Sequence, residues 1–249
     1  MDFFDLREPV SCWTHGAWLI LSLPGAYMLW QQGRGDRLKQ LSLLIFGLSL
    51  AFCFAASATY HGFQGPSHAV ELFDRVDHIG IYVLIAGTYT PVAWIMLRGR
   101  MREIVLTMAW GIAVLGAVEI WFCGVLSPTV STCIYLAMGW GALFCYFEIA
   151  RLLSHRAVRL MLIGGVFYSV GALFHILGWP VLWPGVFQAH ELFHVFVMAG
   201  SLAHFWFMLR VVAPYGDRCP LRPSVGAADQ APALARFGKW RYAEIRERA

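Results

Sequence analysis

The sequence predicts an all-α membrane protein, a seven-transmembrane helix bundle, and three observations carry that prediction. Of the 249 residues, 59% are apolar and only 14% are charged, whereas a soluble domain carries about a quarter charged residues. The mean hydropathy is +0.59. Apolar runs of about 20 residues, the length that crosses a bilayer core as a helix, recur along the chain. They are too long and too uniformly apolar for the weak alternation of a β-barrel.

The runs fall at 13–31, 41–62, 78–97, 103–123, 131–150, 158–178 and 187–211. They define a membrane domain over 1–211 and leave 212–249 as a basic C-terminal tail. The tail mixes Pro, Gly, Ala and charge. It is expected to be partly disordered, with a short helix near 232–247 lying on anionic lipid. The start has acids at Asp2, Asp5 and Glu8 and no basic region ahead of an apolar stretch. No signal peptide is therefore expected, and the first helix serves as its own insertion signal. The six cysteines (Cys12, Cys53, Cys123, Cys133, Cys145, Cys219) show no CxxC spacing. Most lie in apolar segments, where cysteine behaves as a small hydrophobe. Cys123 and Cys133 flank one short loop, and the sequence leaves their pairing open.

Charge orients the bundle. Seven spans put loops 32–40, 98–102 and 151–157 on the face that carries the tail. Those loops and the adjoining helix ends hold Arg34, Arg37, Lys39, Arg98, Arg100, Arg102, Arg151, Arg156 and Arg159. The tail and its junction add Arg210, Arg218, Arg222, Arg236, Lys239, Arg241, Arg246 and Arg248, making 17 of the 19 Lys and Arg residues. Arg7 and Arg75 alone fall on the other face. Basic loops resist translocation, so the C-terminus is expected in the cytoplasm and the N-terminus outside. The net charge of +4 is thus a topology signal. No nucleic-acid partner is expected, because the basic residues are spread over loops without a binding motif. Membrane lipids are the expected partners.

Ionisable groups inside lipid-buried helices are costly and mark functional sites. His190 and His194 open the seventh run four residues apart, and so share one helix face. Ser57 and His61 share a face at the end of the second run, and Asp77 opens the third. By parity these three segments meet at one membrane face. An i, i+4 histidine pair at a helix start can be merely interfacial. Convergence of three remote segments at one depth points instead to a metal, and three protein ligands with an open position is the catalytic zinc pattern. His78 sits beside Asp77 but about 100° around the helix, so it reads as packing or as a partner behind the ligands. His15 and His175 read as hydrogen-bonded core groups. His204 lies ten residues past His194, ~15 Å deeper, too far for the same metal. Glu119 and Glu148 fall near span ends, and Trp179 and Trp183 fit an interfacial aromatic belt. His190-Glu191-Leu192-Phe193-His194 also matches H-E-x-x-H, in which Glu is a protease general base. That match is short, and position 200 is Gly where the extended form wants a third His.

At these residues the chain resembles the hemolysin III family, the bacterial relatives of the progestin and adipoQ receptors. The resemblance covers about residues 8 to 211. It is carried by Glu8-Pro9 with Thr14-His15-Gly16, by Ser57-Ala58-Thr59-Tyr60-His61, and by Asp77-His78-Ile79-Gly80-Ile81-Tyr82 through Ala86-Gly87-Thr88-Tyr89-Thr90-Pro91. Gly164 to Gly171 and His190 to His204 extend it. Several long blocks in the right order make it specific. It implies Zn2+ bound by His61, His190 and His194, with Asp77 holding the zinc-bound water and Ser57 as the family's serine. The wider superfamily includes alkaline ceramidases, so it also implies hydrolysis of a lipid amide. The adipoQ receptors are described with the N-terminus inside, opposite to what the charges here imply.

If the site is catalytic, Asp77 would accept the water's proton and pass it to a leaving amine, and Ser57 would orient the water or the oxyanion. The substrate would enter sideways from the bilayer. Two other readings stand beside this one. In the first, a structural zinc locks spans two, three and seven in a receptor-like or membrane-homeostasis protein. In the second, the protein is a cytolytic pore-former, which the absence of a charged stripe through any span disfavours. The expected location is the bacterial inner (plasma) membrane.

Overall fold

The computed structural model describes residues 6–144, 149 and 155–216. Beyond Gly216 the expected tail lies outside the described residues, as do Cys145, Glu148 and Cys219. Seven α-helices are present among the described residues: α1 Pro9–Gln32, α2 Arg37–Gly62, α3 Ser67–Met96, α4 Gly99–Cys123, α5 Pro128–Trp140, α6 His155–Leu177 and α7 Ala189–Phe207. The last continues as a wider π turn over Met208–Val212. Among the described residues there is no strand, only an isolated bridge between Trp183 and Phe187.

Local chemistry sets the helix ends. Pro9 and Pro128 occupy first-turn positions, where a missing N–H costs nothing. Asp36 caps α2 by accepting the Leu38 and Lys39 amides at 3.0 and 3.1 Å. Gly124 ends α4 at φ +90°, a left-handed conformation that favours glycine.

α1 begins at Pro9 rather than 13, and α3 begins at Ser67 rather than 78. The physical reason for the second difference is plain. Residues 67–77 are helical but polar, held partly by an i, i+4 pair between Arg75 and Glu71 at 2.6 Å. A hydropathy run cannot report turns that carry charge. Asp77 therefore lies in the third turn of α3 and does not open it.

Five helices are long and apolar enough to cross a bilayer: α2, α3, α4, α6 from Val158, and α7 with its π turn. α1 is long enough at 24 residues, but its Trp, Tyr, Ser, Thr and Pro24 residues lower its hydropathy. Within the most apolar window of each helix, 61% of α2 and 56% of α3 is buried, against 17% of α4. α2 and α3 are thus the centre, and α4 turns Leu115 and Phe122 outward onto what is lipid in a membrane. α1 packs on α2, α2 on α3, α3 on α4 and α6 on α7, while α1 also meets α7.

Small residues let the central helices approach closely, as membrane packing requires. A Cβ on Gly47 would meet the Ala26 Cβ at 2.6 Å, and one on Gly80 would meet the Cys53 Cα at 3.1 Å. Three tryptophans use their indole N–H across helix pairs. Trp18 donates to Ser201 Oγ at 2.8 Å, Trp110 to Thr90 Oγ1 at 3.0 Å and Trp140 to Ser169 Oγ at 2.9 Å. The core polar groups of neighbouring helices thereby satisfy each other where no water can. Cys123 and Cys133 are both free and exposed.

By connectivity, the starts of α1, α3, α5 and α7 and the ends of α2, α4 and α6 share one end of the bundle. Arg34, Arg37, Lys39, Arg98, Arg100 and Arg102 stand at the other.

Candidate metal centre

His61 lies in the last turn of α2, with Ser57 one turn before it on the same face. His190 and His194 occupy the first turns of α7, whose start is set by a local cap: the Glu191 carboxylate accepts the Gln188 N–H at 2.8 Å. Glu191 is also reached by the Ser11 hydroxyl at 3.4 Å. Its carboxylate is thus engaged in holding the helix start, which accounts for the glutamate of H-E-x-x-H without a protease role.

The structure brings His61, His190 and His194 together. One ring nitrogen from each lies within 4.8 Å of the others. His61 Nε2 and His190 Nε2 face each other at 3.5 Å. Two imidazoles bound to one tetrahedral zinc through bonds of ~2.0 Å would hold their nitrogens ~3.3 Å apart. Asp77 Oδ2 stands 3.9 Å from His61 Nε2, and Ser57 is close enough to influence the Asp77 carboxylate. His61, Asp77, His194 and Ser57 are all buried. The Nδ1 atom of His194 is buried with no hydrogen-bond partner among the described residues. Three imidazoles with facing nitrogens, one of them carrying an orphaned polar atom, form a donor set that could hold a metal ion.

Two neighbours of the triad escape a reading by periodicity. Glu8, just ahead of α1, sets its Oε2 2.6 Å from Nδ1 of His61. The hydrogen bond with His61 is the main influence holding the Glu8 carboxyl below its ordinary range. The signal was an acid standing directly before Pro9, the first residue of α1. His15, expected to be a hydrogen-bonded core group, has no partner on either ring nitrogen among the described residues. It stacks on His194 instead, with centroids 3.8 Å apart and planes 10° from parallel. His175 likewise stacks, on Phe193 at 4.9 Å. His78 places Nδ1 3.0 Å from the Asp74 carbonyl. His204 places Nε2 3.1 Å from the Met161 carbonyl, a helix-to-helix tie deep in the bundle and away from the triad.

The site opens on an apolar cavity of about 630 Å³. Asp77, His190 and His194 line one end, and Val92, Phe207 and Met208 line the other. From His190 to Met208 is 18 positions of α7, or ~27 Å at 1.5 Å per residue. The cavity therefore runs through most of a bilayer core ~30 Å thick.

Residues 4–205 match the family described as haemolysin-III related. The chain is 32% identical over 209 residues to the Hemolysin-3 homolog of Bacillus subtilis (strain 168), an alignment covering 83% of this chain and 95% of that one. It is 32% identical over 216 residues to Hemolysin-3 of Bacillus cereus, covering 86% and 95%. A plant protein, the heptahelical transmembrane protein ADIPOR2 of Oryza sativa subsp. japonica, is 28% identical over 202 residues, covering 70% of this chain and 82% of its own. Helix bundle, histidine cluster and sequence likeness converge: the chain belongs to the haemolysin-III related family of integral membrane proteins.

Proposed function

We propose that the protein is a zinc-dependent hydrolase of membrane lipid amides, held in the plasma membrane with its C-terminus in the cytoplasm. One observation carries the reading: His61, His190, His194 and Asp77 sit together at the head of a long apolar cavity. All three ligands are imidazoles, which suit zinc. A closed structural site would need a fourth protein ligand, whereas His190 and His194 border open space.

Zinc, when bound, supplies Lewis acidity, polarising a carbonyl and lowering the pKa of water toward ~7. The protein supplies the rest. Asp77 takes a proton as the water oxygen bonds to the amide carbon, and returns it to the nitrogen as the carbon–nitrogen bond breaks. Ser57 orients the Asp77 carboxylate. The apolar cavity receives the acyl chain and keeps bulk water from the reacting carbonyl. The cytolysis that the relatives' names denote has less support. Arg34, Arg37, Lys39, Arg98, Arg100 and Arg102 stand at one end of the described helices and form no stripe along a pore.

The test is release of fatty acid and amine from a lipid amide in proteoliposomes containing the purified protein. Release is expected to stop on treatment with a zinc chelator and to resume on adding zinc. If zinc-loaded protein released nothing from lipid amides or esters, the structural-zinc, receptor-like reading would take its place.

Sidedness has its own test. The basic residues mark the end remote from the triad, so the triad belongs on the non-cytoplasmic side. A reporter enzyme active only outside the cytoplasm, fused after Ala249, is expected to be silent. Val186→Cys, in the exposed loop ahead of α7, is expected to react with an impermeant thiol reagent in intact cells when Cys123 and Cys133 are Ser. An active fusion with no labelling at 186 would invert the orientation.

A further inference from the structure

We infer that Glu8 is a positioning residue of the metal centre: its carboxylate holds the Nδ1–H of His61 and leaves the Nε2 lone pair facing His190. The inference rests on the proposed metal site and adds a residue to it. A carboxylate can only accept hydrogen bonds, so the 2.6 Å contact between Glu8 Oε2 and His61 Nδ1 requires the proton on Nδ1. In a neutral imidazole Nε2 is then bare, and it is Nε2 that stands 3.5 Å from His190 Nε2. Metal-binding histidines are commonly oriented through their second nitrogen in this way, and the carboxylate also raises the basicity of the ring.

The geometry is built rather than incidental, because the main chain repeats the contact. The Glu8 N–H donates to the His61 carbonyl at 2.9 Å, and the Cys12 N–H donates to the Glu8 carbonyl at 3.0 Å as α1 begins. Pro9 follows at once with its fixed φ. On the outer side, Arg7 Nε approaches Glu8 Oε1 at 3.3 Å, and the Arg7 guanidinium lies 3.9 Å over the Tyr60 ring. The chain just before α1 thus grips the end of α2 at its ligand residue. A Cβ on Gly62 would meet Cys12 Sγ at 2.7 Å, so the grip also depends on a glycine beside the ligand. The other orienting contact differs in kind. His194 has no partner on Nδ1 among the described residues and is held by the His15 ring stacked on it.

The experiment is competition for zinc between the purified full-length protein and a chromophoric chelator, with apo-protein thermal unfolding measured alongside. Glu8→Ala is expected to weaken zinc binding by about 10- to 100-fold, the range for loss of a partner behind a ligand. Glu8→Gln is expected to recover much of that loss, because its amide carbonyl still accepts from Nδ1–H without the charge. Wild-type zinc affinity in Glu8→Ala would overturn the inference. So would equal losses in Glu8→Ala and Glu8→Gln that track falling apo stability, since that pattern describes a structural latch. A wild-type protein that binds no zinc would overturn the metal site itself and this inference with it.

Discussion

Zinc content is expected to fall from about one equivalent to background when His61, His190 and His194 are all replaced by alanine. Each single replacement should weaken binding by more than the ~10- to 100-fold typical of a partner behind the ligands, because it removes a bond to the metal itself. The three rings lie with centroids 4.6 to 5.0 Å apart. His68, exposed near the start of α3, is the matched control, and His68→Ala should keep its zinc. Elemental analysis of purified protein reads all five variants. Unchanged zinc in the triple variant would remove these residues as ligands.

Asp77→Asn should retain most of the zinc yet lose lipid amide hydrolysis by about 10²- to 10⁴-fold, the usual contribution of a positioned base. The substitution keeps shape and volume in a buried position, and its amide oxygen can still accept from Ser57. What it removes is the ability to take a proton. The Asp77 carboxylate stands 3.9 Å from His61 Nε2, beyond direct hydrogen-bond range, so it lies next to the triad without being locked to a ligand. Ser57→Ala should cost less, since it loosens the carboxylate without deleting it. Full activity in Asp77→Asn would exclude Asp77 as the base. Glu191 would be a poor replacement, because its carboxylate already accepts the Gln188 N–H.

Much of this protein was legible in one dimension. Apolar length located the spans, because a bilayer core sets a minimum helix length. The distribution of Lys and Arg marked one end of the bundle from the other. The four-residue spacing of His190 and His194 placed them on one face without any fold, because helical periodicity is local. The same periodicity was silent where the helix left the apolar zone. The first turns of α3 from Ser67 carry charge, with Arg75 and Glu71 paired, and so break the apolar run.

Only the tertiary structure decided what stands behind the ligands. Glu8 and His61 are 53 positions apart, and their contact exists because α1 and α2 pack side by side with the chain before Pro9 crossing the end of α2. His15 reads as an ordinary core histidine until α1 meets α7 and lays it flat on His194. The cavity is also a product of assembly. Its walls come from helices distant in sequence, and no single helix carries a pattern that distinguishes facing a void from facing a neighbour or a lipid. Hydrophobic burial is non-directional, so the sequence by itself determined that apolar helices enter the membrane and which of their faces are polar. Steric fit and hydrogen-bond geometry, which exist only between packed helices, decided which polar groups meet.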